Sequence, residues 1–196
     1  MQLVGGDTTK GPLSISIQVH GSVDPEKALR RDGAQIGDLI YVTNTLGDAC
    51  AALKIAQNEL LTDNLDNSDK HYLAQRLERP TPRLGIGQKL TGFASAAIDI
   101  SDGLVADLGH ILEKSGVGAR IDLARLPLSP SLLKIERTGA EHLALYSGDD
   151  YELCFTAPAN HYAEIEDMLQ GQCTRIGVIT NDDGIVVIEN DKLKSL

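Results

Sequence analysis

One stretch limits what this chain can become more than any other. Small apolar residues run from Ala94 to Ile98. An acidic, hydroxyl-bearing turn follows at Asp99-Ile100-Ser101-Asp102-Gly103, and from Leu104 the apolar positions switch to helical spacing. Leu104, Leu108, Ile111 and Leu112 share one face, with Asp107, His110 and Glu113 on the others. This order calls for a buried strand or turn ending at Asp99, then an amphipathic helix with Ser101 or Asp102 as its N-cap. On a strand, Asp99 and Ser101 would point the same way. With Asp102 at the helix start they would form a small acidic pocket. Such a pocket suits Mg²⁺, which takes one or two carboxylates together with substrate phosphates. The same residue types serve equally well as helix caps and a solvated turn.

Elsewhere strand-like and helix-like segments mix. Leu13, Ile15, Ile17 and Val19 alternate with polar residues through His20, the pattern of a half-buried strand with His20 solvated. Residues 39–43 read as a short strand, and Asp48 as the N-cap of an Ala-rich helix beginning near Ala49. Residues 61–70 read as a polar solvent loop. A helix through Tyr72 and Leu77 must end before Arg79-Pro80-Thr81-Pro82-Arg83, where two prolines block continuation. Gly116 and Gly118 stop the central helix before a strand over 119–123. A helical stretch near 132–136, a helix over 161–169 and strands over 174–180 and 185–189 complete the pattern. Without regular βαβ spacing, this mixture indicates an α+β class, a layered α/β sandwich rather than a doubly wound sheet. Neither a G-x-x-x-x-G-K-[ST] loop nor a helix-opening G-x-G-x-x-G is present.

Three further stretches carry chemistry. Gly5-Gly6-Asp7-Thr8-Thr9 sets a carboxylate and two hydroxyls beside glycine backbone, which fits a phosphate–metal corner or a hairpin turn. Arg30 and Arg31 are a basic spot able to grip phosphate, or surface charges. Asp149 and Asp150 place adjacent carboxylates before a strand, a costly arrangement unless solvated or bridged by a cation. With 28 Asp plus Glu against 18 Lys plus Arg, the net charge of −10 argues against nucleic-acid or anionic-membrane partners. It does not exclude a nucleotide, because bound magnesium reverses the local sign. Aromatics at 4% with no Trp leave no base-stacking surface. There is no apolar run of membrane-spanning length. Cys50, Cys154 and Cys173 lack metal or redox spacing. Cys50 and Cys154 lie in apolar runs, as buried thiols of a reducing cytoplasm would.

Taken in order, residues 5–14, Gly37-Asp38-Leu39-Ile40-Tyr41-Val42-Thr43, Arg79-Pro80-Thr81-Pro82-Arg83, the run 97–111 and Gly148-Asp149-Asp150-Tyr151-Glu152-Leu153-Cys154-Phe155 resemble the thiamine-monophosphate kinase family. The likeness extends from Leu3 to about Gly177, and 97–111 is its most specific part. It implies a fold like that of aminoimidazole ribonucleotide synthetase. Residues 1–21 would then be the last strands of an N-terminal ATP-binding and dimerisation domain, and 22–196 a C-terminal α/β domain. The implied reaction is Mg²⁺-dependent transfer of the ATP γ-phosphate to thiamine monophosphate, giving thiamine diphosphate. By position, the resemblance assigns ATP contacts to Gly6, Asp7, Arg31 and Ser101. It assigns metal ligation to Asp7, Asp99 and Asp102, and substrate contact to Asp149 and Asp150.

These residue types fit phosphoryl transfer, which needs positioning and charge neutralisation more than covalent work by the protein. No general base is assigned, since the acceptor phosphate is already anionic near neutral pH. The family's N-terminal domain, with further acidic ligands, would precede Met1, and its aromatic C-terminal segment has no match before Leu196. Asn44 and Ser147 stand where the family uses glycine. The expectation is a cytoplasmic kinase, homodimeric as a full-length protein, of which these 196 residues alone are inactive. A non-catalytic nucleotide- or metal-binding fragment is the alternative, as is another superfamily enzyme such as selenophosphate synthetase.

Overall fold

The structure, a computed structural model, describes residues 2–60, 62–189 and 192–194. In chain order its elements are β1 (Leu39–Thr43), α1 (Asp48–Ala56), α2 (Asn67–Glu78), α3 (Leu84–Leu90), β2 (Ala96–Ile100), α4 (Leu104–Ser115), β3 (Gly118–Asp122), α5 (Arg137–Tyr146), β4 (Glu152–Ala157), α6 (Tyr162–Leu169), β5 (Cys173–Thr180), β6 (Ile185–Glu189) and β7 (Lys192–Lys194). The strands form one seven-stranded sheet in the order β2-β4-β1-β5-β3-β6-β7. Neighbours are antiparallel except β3 and β6, which run parallel. This is an α+β sandwich, as the mixed pattern indicates.

Strand alternation divides the core. Ile40, Val42, Ile100 and Cys154 face α4 and α5, meeting Leu104, Leu108 and Ile111. Each such side chain, fully buried, stabilises the fold by roughly 1.5–3 kcal/mol. On the opposite face Tyr41 stacks on Phe155 at 5.0 Å beneath α3 and α6. A third cluster packs α1 and α2 against α5. The central run behaves as its pattern requires: β2, a three-residue connection, then α4, ended by Gly116 at φ 68°.

Four expectations fail for identifiable reasons. The strand over 13–21 does not form. Leu13, Ile15 and Ile17 are 94, 80 and 85% exposed, and residues 2–23 make no backbone hydrogen bond to the body. Alternation encodes a face, but a strand also needs a neighbour for its N–H and C=O groups. The polar loop is shorter than expected, because Asp66 and Asp69 form a reciprocal capping box that starts α2 at Asn67. Leu61 lies outside the described residues. The helical stretch near 132–136 is one 3₁₀ turn over Leu132–Lys134, and the α-helix follows it as α5. Cys50 is only partly buried, whereas Cys154 and Cys173 are buried. All three thiols are free.

Because residues 2–22 bury no side chain, deleting them is expected to leave the melting temperature unchanged within error. A drop in a thermal melt followed by circular dichroism would show that this segment does pack on the body.

Candidate functional site

The site is built where two connections meet at one end of the sheet. Register pairs Ile100 with Glu152, so the chain leaving β2 lies against the chain entering β4. Asp149 N–H donates to the Ser101 carbonyl at 3.0 Å and Tyr151 N–H to the Ile100 carbonyl at 2.9 Å. Asp149 and Tyr151 adopt left-handed backbone, φ 67° and 50°, and each of these costs roughly 1 kcal/mol or more. Gly148 permits the approach: a Cβ there would overlap the Ser101 carbonyl oxygen. The result sets the Ser101–Asp102 backbone against Gly148 and Asp149 in one crease, with Asp99 just before it on β2.

Their side chains are left open. The carboxylates of Asp99 and Asp102 are exposed and have no hydrogen-bond or ion-pair partner among the described residues. Asp149 has only a long 3.5 Å contact from the Tyr151 hydroxyl. Neither Ser101 nor Asp102 caps α4, contrary to the simplest sequence reading. Gly103 occupies the N-cap at φ 112°, and Asp107 reaches back from the first turn. Its Oδ2 accepts from Ser101 N–H at 2.9 Å and Asp102 N–H at 3.0 Å. One buried carboxylate thereby shapes the turn and leaves the others unused.

Capping of α1 is likewise displaced. Asp48 is buried inside the helix start, accepting from Thr45, Tyr72 and Ser129 side chains. The acceptor for the helix N-terminus is Asp150, which takes Gly47 N–H at 2.6 Å and Ala49 N–H at 3.3 Å. Burial pushes the Asp150 carboxyl up to about 7, with the two N–H donors opposing and Asp48 adding to the rise. Asp149 and Asp150 thus face different ways, one to the crease and one into the protein.

Beneath the crease lies Glu152, fully buried. It accepts from Thr43 Oγ1 at 2.5 Å, Asn44 Nδ2 at 3.2 Å, Arg76 Nη2 at 2.8 Å, and Arg83 Nε and Nη2, both at 2.6 Å. Asn44, at φ 47°, takes a left-handed conformation that asparagine tolerates better than most residues. Beside this hub a groove of about 660 Å³ runs between residues 23–29, the 80–84 turn with α3, and Asp99, Tyr151 and Leu153.

The structure does not gather every expected residue here. Gly6 and Asp7 lie on the exposed N-terminal segment, where Asp7 accepts only Thr8 N–H. Arg31 borders a separate depression of about 340 Å³ with Arg30 and Lys114. Among the described residues no three His, Cys, Asp or Glu side chains form a group that could hold a metal ion. Asp107, Glu152 and Arg83 were not singled out in sequence. The motifs containing them were visible, but the pairing of Arg83 with Glu152 across 69 residues was not.

Fold and crease define the class: an α+β sandwich domain that leaves an acidic turn open at one end of its sheet. The chain belongs to the family described as AIR synthase related protein, C-terminal domain, whose profile matches residues 35–190. It is 52% identical over 186 residues to the thiamine-monophosphate kinase of Haemophilus influenzae, covering 93% of this chain and 56% of that protein. The crystal structure of thiamine-monophosphate kinase from Stenotrophomonas maltophilia superposes with a TM-score of 0.76 at 44% identity, over 88% of this chain and 56% of that one. A structure described as AaThiL complexed with AMPPCP and TMP gives a TM-score of 0.70 at 34% identity, over 86% and 52%. The chain spans about half the length of the curated relatives it matches.

Two outcomes test this geometry. Gly148→Ala is expected to destabilise by about 1–3 kcal/mol, as overpacking against rigid backbone does, read by denaturant unfolding. Asp150, raised when folded, contributes stability that is complete below the ordinary carboxylate range and is lost as pH rises to about 7. The melting temperature of the natural chain minus that of Asp150→Asn should therefore fall between about pH 4 and pH 7. A flat difference would place Asp150 in an environment no different from water.

Proposed function

We propose that this chain supplies the C-terminal half of the active site of a thiamine-monophosphate kinase, a Mg²⁺-dependent enzyme passing the ATP γ-phosphate to thiamine monophosphate. The carrying observation is the pair of unpartnered carboxylates, Asp99 and Asp102, flanking the Ser101 carbonyl that Asp149 N–H binds, in a chain this similar to the Haemophilus kinase.

The donor set fits magnesium, since one or two protein carboxylates suffice when water and phosphate oxygens complete the shell. Asp99 and Asp102 would hold the ion, and Asp7 would join them only if the N-terminal segment is repositioned. When bound, magnesium neutralises phosphate charge. The chain's own residues position: Ser101 offers a hydroxyl to nucleotide, Gly6, Asp7 and Arg31 would meet ATP, and Asp149 would contact the acceptor. Asp150 acts behind Asp149 by fixing the turn to α1. No residue is assigned as general base.

Residues 1–21 are read as the last strands of a preceding domain, 22–196 as the C-terminal domain, and the whole protein as a homodimer. The exposed alternation of Leu13, Ile15, Ile17 and Val19 supports pairing with strands outside this fold. Free thiols support a cytoplasmic setting, and no helix among the described residues is long and apolar enough to cross a membrane. With Asp7 on an exposed segment where it accepts only Thr8 N–H, the chain alone is expected to give no thiamine-monophosphate-dependent ADP release.

Calorimetry of AMPPCP binding with and without Mg²⁺ tests the metal assignment. Asp99→Asn and Asp102→Asn are each expected to weaken Mg²⁺-dependent binding at least about tenfold, no less than losing an outer partner of a metal ligand costs. Equal affinity in the natural chain and both variants would remove these residues from the metal site.

A further inference from the structure

The geometry points to Arg83 as a phosphate-contacting residue of the groove, held in register by Glu152. The inference depends on the kinase reading only for the identity of the ligand.

Arg83 grips the Glu152 carboxylate through Nε and Nη2, both at 2.6 Å, so one edge of its planar fork is committed. Nη1 has no partner among the described residues, and the side chain remains 19% exposed where it lines the groove. Glu152 does not require Arg83 alone, because Arg76, Thr43 and Asn44 also donate to it. A guanidinium fixed on one edge and open on the other is a preorganised anion donor. Lysine, a point charge on a flexible stem, could not present the same geometry.

The setting agrees. Pro80 and Pro82 restrict the backbone leading to Arg83. In a chain of net charge −10, the charged residues lining this groove are Lys27, Arg83 and Asp99, two cations to one carboxylate. A phosphate in this groove would lie among Lys27, Arg83 and the open Asp99 carboxylate, the candidate metal ligand. The chemistry is that of a phosphate monoester or polyphosphate, in which a terminal oxygen accepts from Nη1.

The test needs no variant for its first reading. The ¹⁵N side-chain resonance of Arg83, assigned by through-bond correlation to its own backbone, is followed in the whole chain during titration with inorganic phosphate, pyrophosphate, thiamine monophosphate and thiamine in turn. Phosphate-bearing ligands are expected to shift it and thiamine to leave it. Arg83→Lys should weaken phosphate binding about tenfold, the effect of one charge-assisted hydrogen bond. An Arg83 signal unmoved by either phosphate ligand, or moved equally by thiamine, overturns the inference, as does unchanged affinity in Arg83→Lys. If pyrophosphate moves Arg83 but thiamine monophosphate moves it no further than inorganic phosphate, the contact stands and the kinase reading fails. If Arg83→Lys does not fold, the resonance of the natural chain decides.

Discussion

A carboxylate with no exposure to water governs one end of this molecule. Desolvating Glu152 would cost several kcal/mol without partners, and its two oxygens draw five donors from four residues on three separate segments. Those segments are the end of β1, helix α2 and the proline-bounded turn before α3. Satisfying one charge therefore fixes where β4 begins, and with it the Asp149–Tyr151 turn that leans on the end of β2. Removing both arginines would leave the buried charge uncompensated, so the arrangement is held as a unit.

The same economy of roles recurs around it. Three acidic side chains that could have been ligands are spent on structure: Asp107 on the turn before α4, Asp150 on the start of α1, Asp48 on a hydroxyl cluster. Three others, Asp99, Asp102 and Asp149, are kept out of structural bonds. The difference is one of donor supply. Buried carboxylates are surrounded by N–H and O–H groups that donate to them, while the exposed ones stand beyond backbone already paired. Chemistry is available where the fold has not consumed the charge.

Much of the architecture was legible from periodicity. The sequence of small apolar strand, acidic turn and amphipathic helix at 96–115 is local information, and β1, β5 and β6 carry their own alternation or apolar runs. Residues 13–20 carry as clean an alternation as any strand here, yet pair with nothing described, since pairing requires a partner strand and not only a pattern. The start of α2 was missed because its signal is a reciprocal pair of aspartates in an otherwise polar run. For α5, a short 3₁₀ turn ahead of it blurred the boundary.

Sequence by itself determined which residues could hold phosphate or metal, and their order along the chain was enough to mark the family. Only the tertiary structure decided which of those groups are free to do so. Asp149 and Asp150 are adjacent and chemically identical, yet one faces the crease and the other is buried against Gly47 and Ala49. Likewise Arg83 becomes a fixed donor only through a carboxylate 69 positions away. Contacts of that range follow from strand register and helix packing, which local spacing does not encode.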